Sequence, residues 1–299
     1  MKMCWRLFSA LIFVLFWVLP LGAAQYADAL GRKIIIPSHP ERIISLAPSV
    51  TETLFGLGLN REIVGVTRCC DYPEAARRKP KIGDFLNVSV EKIVSFHPDL
   101  IIGVMDGMKA DTLKRLEKAG LPIYLVNPIS LEGIFKMVEE IGALTGKTAS
   151  AKRLAQDLRK RVHAVSSLTK NAPKPRIFFQ IGTDPMVTVG RNTLHHELIT
   201  LAGGINIAAG AKISYPRFSM EEVVARRPDF IIISSMERKE NYKEVKKKWM
   251  KWKMLPAVRN NRVYVIDSDL TDTPALRIVQ GLETMAGWLH PELLRGAPR

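Results

Sequence analysis

Ser89–Ile102 reads SVEKIVSFHPDLII and Ser219–Ile232 reads SMEEVVARRPDFII; the two align without a gap at an offset of 130. Ser89/Ser219, Glu91/Glu221, Val94/Val224, Pro98/Pro228, Asp99/Asp229, Ile101/Ile231 and Ile102/Ile232 are identical, and Ile93/Val223 and Leu100/Phe230 are close swaps. Internal repetition constrains the architecture before any single element does. Each copy opens on a serine able to accept an N–H from the first turn of a helix. Ser219 and Glu222 also have the S-x-x-E spacing of a capping box. The short helix must stop before the proline, because the residue preceding Pro is driven out of the α region. The apolar run that follows suits a strand covered on both faces. Two lobes of one design are expected, each with an acidic residue at the start of a matching helix.

Outward from the repeat, strand and helix patterns alternate. Asp28–Pro37 reads as a hairpin turning at Gly31, and Arg42–Leu46 as a strand leading to Ala47-Pro48-Ser49. Ser49 with Glu52 has capping-box spacing for the next helix, which Gly56 and Gly58 close. Ile63–Val66 is a strand running into the loop TRCCDYP at Thr67–Pro73. After the first copy come a loop at Val104–Met108, a helix from Lys109 to Ala119, a strand at Ile123–Val126 and a helix at Leu131–Leu144. Such alternation implies parallel βαβ units. Thr148–Leu168 differs: Ala151, Leu154, Ala155, Leu158, Val162 and Val165 recur at helical spacing with no Gly or Pro between them. One long helix therefore separates the two copies.

Lobe two starts again at Arg176–Gln180, and Glu197–Gly203 (ELITLAG) resembles Glu52–Gly58 (ETLFGLG). Arg238–Lys253, RKENYKEVKKKWMKWK, reads as one basic amphipathic helix with Val245, Trp249 and Trp252 on its other side. A strand at Arg262–Ile266 and a helix at Ala275–Leu289 close the chain. Ligands of open parallel sheets bind at the carboxyl ends of strands, and pockets favour domain interfaces. A cleft between the lobes is the expected site.

The chain has 299 residues, 47% apolar and 24% charged, enough for two cores. Lys2 and Arg6, the apolar run Leu7–Leu19 and Gly22-Ala23-Ala24 have the form of an export signal cleaved near Ala24. The run is too short for the roughly 20 residues that span a bilayer. Cleavage removes Lys2 and Arg6, so the formal net charge falls from +15 to +13. Much of the excess lies in Arg238–Lys253, which reads as a solvated face or a surface for an anionic membrane. Nucleic acid is not an expected partner of an exported chain.

Chemistry is sparse. No G-x-S-x-G elbow, P-loop or G-x-G-x-x-G occurs, and the histidines 39, 97, 163, 195, 196 and 290 have no metal-ligand spacing. His195-His196 reads as a helix start. No catalytic residue, resident cofactor or metal site is expected. Cys69 and Cys70 alone remain after cleavage and are read as thiols rather than a strained bridge between neighbours.

Taken in order, RIISLAPSVTETLFGLG (Arg42–Gly58), VGVTRCCDYP (Val64–Pro73), the first repeat, RIFFQIG (Arg176–Gly182), LAGGINI (Leu201–Ile207) and the second repeat resemble the helical-backbone (class III) periplasmic substrate-binding proteins of ABC importers. The D-Y-P loop and the L-A-P-S-x-T-E start look most like the cobalamin-binding branch. The resemblance implies two Rossmann-like α/β lobes with parallel-type sheets, joined by one long rigid helix, with the ligand cleft between them. The expected boundaries are a signal peptide at 1–24, a lobe at 25–146, a linking helix at 147–171 and a lobe at 172–299.

It also implies a periplasmic monomer that binds a small molecule, a corrinoid such as cobalamin, and docks on an inner-membrane ABC permease dimer through Glu91 and Glu221. By loop position the ligand candidates are Pro48, Cys69, Tyr72, Phe85, Tyr215, Arg217, Asp269, Leu270, Thr271 and Asp272. The cobalamin branch tends to place tryptophans or tyrosines where this chain has Cys69, Phe85, Tyr215 and Leu270. Two other readings stand beside this one. A ferric-siderophore or haem receptor could use Arg217 and Arg277 against an anionic ligand. An exported hydrolase or chelatase could use Cys69 and Cys70. The basic helix is the sole support for an adhesion module.

Overall fold

Ser89 and Ser219 each cap a helix, Val90–Ser95 and Met220–Arg226, in the computed structural model, which describes residues 22–234 and 242–294. Ser89 Oγ accepts the Lys92 N–H at 3.2 Å. Ser219 Oγ accepts the Glu222 N–H at 3.3 Å, and Glu222 Oε2 accepts the Ser219 N–H at 2.8 Å, completing the capping box. Both helices give way to a left-handed residue directly before the proline, His97 and Arg227, each at φ 45°. That conformation costs a non-glycine residue about 1–2 kcal/mol.

Charge-assisted bonds offset it. The Asp99 carboxylate accepts the Glu41 and Arg42 N–H groups at 2.7 and 2.9 Å, and Asp229 accepts the Arg176 N–H at 2.8 Å. In return Arg42 Nε donates to the Phe96 carbonyl and Arg176 Nε to the Arg226 carbonyl, both at 2.9 Å. Each copy of the repeat is thereby clasped to the strand that opens its lobe.

The strands are β1 (Ala23–Ala27), β2 (Lys33–Pro37), β3 (Ile43–Ser45), β4 (Ile63–Val66), β5 (Leu100–Val104), β6 (Ile123–Val126), β7 (Arg176–Thr183), β8 (Met186–Thr188), β9 (Ile205–Asn206), β10 (Phe230–Ile233) and β11 (Val263–Val265). The first sheet runs β4-β3-β5-β6, all parallel. In the second, β7, β10 and β11 repeat the order β3, β5, β6 in parallel register, β9 pairs parallel with the start of β7, and β8 pairs antiparallel with its end. The second sheet is thus mixed rather than wholly parallel. Gly182 and the Asp184-Pro185 turn fold β7 back onto β8, and short, edge-lying β8 carries little apolar signal of its own.

Thr148–Thr169 forms the long linking helix. Ala151, Ala155, Leu158 and Val165 bury its apolar stripe in one cluster that also holds Val138 and Ile141 of the first lobe and Leu282 and Met285 of the second. Two arginines fasten its polar side. Arg159 bonds Glu132 and Glu139 of the helix Leu131–Leu144, and Arg161 holds Glu283 of the helix Ile278–Leu289 in a two-pronged pair at 2.8 and 2.7 Å.

A second set of contacts crosses directly between the lobes. Glu52, on the first helix of lobe one, accepts the Arg277 N–H and Arg277 Nε, both at 2.8 Å, at the start of the last long helix of lobe two. Glu197, its counterpart on lobe two, accepts the Leu131 N–H at 3.0 Å, at the start of the last helix of lobe one. Each carboxylate satisfies an otherwise unpaired N–H and complements the positive end of a helix dipole. Glu52 is buried, and burial pushes its carboxyl above the usual range while Arg277 pulls the other way.

Four expectations change. The hairpin's first arm is Ala23–Ala27, before Asp28, because the Asp28 carboxylate accepts the Leu30 and Arg32 N–H groups and builds the turn itself. Ser49 does not cap its helix: Pro48, whose fixed φ suits the first helical position, moves the cap to Ala47 and frees Glu52 for the other lobe. The closing helix starts at Ile278 rather than Ala275. The basic helix is shorter, Tyr242–Met250, with Trp252 in the turn beyond it. Residues 238–241 of that stretch, and most of the expected export signal, 1–21, lie outside the described residues.

Glu52→Ala leaves the partly buried Arg277 guanidinium without its main partner, an omission expected to cost about 1.5–3 kcal/mol, as for hydrogen bonds to charged groups. Glu197→Ala removes one backbone cap, worth about 1 kcal/mol. Urea denaturation should rank the two in that order. Replacing Glu52 and Arg277 together by methionine should cost less than Glu52→Ala alone, and a larger loss in the double variant would contradict this account.

Candidate functional site

The cleft lies where both sheets present the carboxyl ends of their strands. The loops after β3, β5 and β6 form one wall, with Pro48, Asp106 and Asn127. The segments Asn192–His195, Ser214–Tyr215 and Ser268–Pro274 form the other. Its volume is about 620 Å³, within the range of small-molecule sites.

Seven sequence candidates line it: Pro48, Cys69, Phe85, Tyr215, Asp269, Thr271 and Asp272. Three stand outside. Leu270 turns its carbonyl onto Gly281 so closely that a Cβ there would lie 2.1 Å from the oxygen. Arg217 is exposed and bridges by its backbone to Val187. Tyr72 lies under the Arg277 guanidinium, 3.7 Å from its ring centroid. Phe85 is held in place from below: its ring sits on Gly107, where any Cβ would come within 2.4 Å of it.

The lobe-two wall is built on a buried carboxylate. Asp272 accepts Ser234 Oγ at 3.0 and 2.9 Å and Thr271 Oγ1 at 2.9 Å, and His195 Nε2 lies 2.9 Å from it. His195 Nδ1 is buried and has no partner among the described residues. The His195 side chain leaves Thr193, the cap of the helix Leu194–Leu201, and packs its ring on Phe179. A lone histidine at a helix start gives no sequence sign of this role, because its partners Ser234 and Asp272 come from loops far along the chain. Tyr215 faces this group. Burial, then the negative fields of Asp272 and Asp106, push its hydroxyl up, so it stays a proton donor.

The charge of the lining is one-sided. Asp106, Asp269 and Asp272 contribute carboxylates, while no lysine or arginine belongs to the lining among the described residues. Arg277, the other arginine that an anionic ligand was expected to use, is taken up by Glu52 and by Asp269 at 3.5 Å.

Cys70 is held as a thiol. Thr67 Oγ1 lies 3.2 Å from Cys69 Sγ and 3.1 Å from Cys70 Sγ. The hydrogen bond with Cys69, then burial, push the Cys70 thiol far up. Among the described residues no cluster of three His, Cys, Asp or Glu side chains could hold a metal ion.

Glu91 and Glu221 occupy the same position on their two helices, and both are exposed. Their own backbone N–H groups, then Ser89 and Ser219, hold both carboxyls below the usual range. Glu91 also pairs with Arg115 at 2.6 Å.

This arrangement has close counterparts. The vitamin B12-binding protein of Vibrio vulnificus is 32% identical over 244 residues, covering 81% of this chain and 88% of that protein. The crystal structure of the periplasmic vitamin B12-binding protein BtuF of Vibrio cholerae superposes with a TM-score of 0.74 at 28% identity, over 84% of this chain and 97% of that one. The periplasmic heme-binding protein RhuT of Roseiflexus superposes equally well, with a TM-score of 0.75 at 28% identity over 85% and 99% of the two chains. The profile of the periplasmic binding proteins matches residues 43–270, and the chain belongs to that family.

Proposed function

We propose that this chain is an exported receptor that captures a corrinoid, cobalamin itself, and delivers it to the permease of an ABC importer. The observation that carries the choice of ligand is the lining of the cleft. Cobalamin-binding and haem-binding relatives share the fold equally, so fold similarity does not separate them. Charge does. Haem propionates and anionic iron chelates call for cationic or donor-rich walls, whereas the carboxylates of Asp106, Asp269 and Asp272 would repel them. A corrin ring edged with carboxamides brings N–H donors to those same acceptors, and its apolar faces suit Phe85, Pro48 and the Tyr215 ring.

Inner-membrane delivery rests on Glu91 and Glu221. Two like-placed carboxylates on a pseudo-two-fold protein can meet two arginines on a two-fold partner, with bidentate geometry available to each pair. The linking helix and the reciprocal lobe contacts keep their spacing constant. Export is by a cleavable signal at 1–24, leaving a monomer in the periplasm. A thiol hydrolase or chelatase is disfavoured by Cys70, which is buried and held protonated.

Titration of the purified chain with cyanocobalamin, haemin and a ferric hydroxamate is expected to give micromolar or tighter binding for cobalamin alone. Tight haemin binding with none for cobalamin would assign the protein to the iron-chelate branch. Phe85→Ala and Tyr215→Ala should each weaken cobalamin binding about ten-fold or more, as truncating a buried aromatic anchor does.

Glu91→Arg with Glu221→Arg should abolish uptake while leaving cobalamin affinity unchanged; surviving uptake would reduce both residues to helix-cap electrostatics. Because both carboxyls titrate below the usual range, they stay ionised as pH falls from 7 through the ordinary glutamate value near 4.3. Binding to permease-containing vesicles should therefore be flat down to about pH 5. A midpoint near 6.5 would point to a histidine instead.

A further inference from the structure

The helix Tyr242–Met250 carries charge that neither folding nor ligand capture uses. Val245 and Trp249 are buried in a cluster that also holds Phe178, Phe218 and Val223, the last from Met220–Arg226, the helix that bears Glu221. Its other side holds Lys247 and Lys248, both exposed, and Lys251, Lys253 and Met254 extend the same ridge beyond its end, with Met254 61% exposed. Lys247 Nζ bonds Glu244 at 2.7 Å. Among the described residues, no carboxylate forms an ion pair with Lys246, Lys248, Lys251 or Lys253. Arg159 and Arg161 of the linking helix, by contrast, are fully engaged. Like charges at helical spacing destabilise a helix by a few tenths of a kcal/mol each pair. The fold therefore gives no reason for the run.

We propose that the ridge Lys247–Met254 is a contact surface for anionic phospholipid headgroups. Ammonium groups on flexible stems suit mobile phosphates, whereas a fixed carboxylate pocket would favour the planar fork of arginine. An exposed methionine at the end of the ridge fits the boundary between headgroups and acyl chains. Docking through Glu221, as proposed above, would also hold the chain at a membrane, whose surface charge acts over a Debye length of about 8 Å. The contact adds attraction to the membrane plane, where the permease is found, without touching the cleft.

Co-sedimentation of the chain with vesicles tests this, using phosphatidylcholine alone and phosphatidylcholine with phosphatidylglycerol. Binding is expected only to the anionic vesicles and should fall steeply with salt. Replacing Lys247, Lys248, Lys251 and Lys253 by glutamine should weaken it about a hundred-fold or more, given the attraction of each lysine to an anionic surface. Replacing exposed Lys114, Lys118, Lys152 and Lys160 by glutamine changes net charge equally and should leave most of the binding. Equal losses in both variants, or no preference for anionic vesicles, would overturn the proposal. So would ridge-dependent binding to neutral vesicles that contain the permease, which would assign the ridge to an acidic protein surface. Glu91→Arg with Glu221→Arg should keep vesicle binding while losing uptake, so the lipid contact and the docking role fail separately.

Discussion

The reciprocal pair of lobe-crossing carboxylates is the contact on which the cleft depends. Glu52 holds the start of the last long helix of lobe two, and Glu197 holds the start of the last helix of lobe one. Each lobe therefore terminates a helix of the other, and the two helices lie on either side of the linking helix with which both share a core. Opening the lobes would break both helix-end contacts and the Glu52–Arg277 pair together. These contacts oppose hinge motion, and the cleft is already formed in this structure. Preformed sites avoid the ordering cost that a closing lid would add to each binding event.

The same contact decides what the cleft can hold. Arg277 is one of the two arginines that an anionic ligand was expected to use, yet its donors are used by Glu52, Asp269 and the face of Tyr72. With that charge neutralised, Asp106 and the Asp272 group set the electrostatics of the wall. The arginine that locks the lobes is thus unavailable to an anionic ligand.

The repeat has a parallel economy. Ser, Pro and Asp at matching positions cap the helix, end it and clasp it to the opening strand, with the arginine at the head of each strand closing the loop. The serine, proline, aspartate and isoleucines common to both copies have folding roles, whereas the side chains of Glu91 and Glu221 project to solvent beside their caps. Where they do interact, at Ser89 and Arg115, the contacts are exposed and of the kind that contributes little to stability.

Periodicity and capping chemistry by themselves determined the two-lobed plan, the linking helix and the repeat, because these signals act over a few residues and survive in any tertiary setting. The strand-end loops that line the cleft were legible for the same reason. What depended on distant chain segments was not: the partnership of His195 with Asp272 and Ser234, the exclusion of Arg217 and Leu270 from the wall, and the diversion of Arg277 to Glu52. Local pattern made Glu52 a cap for its own helix; with Pro48 at the first helical position the cap falls two residues earlier, at Ala47, and the carboxylate became a bond between lobes. Sequence specifies which side chains carry charge, but only packing brings together the partners that decide whether that charge is spent on the fold or left for a ligand.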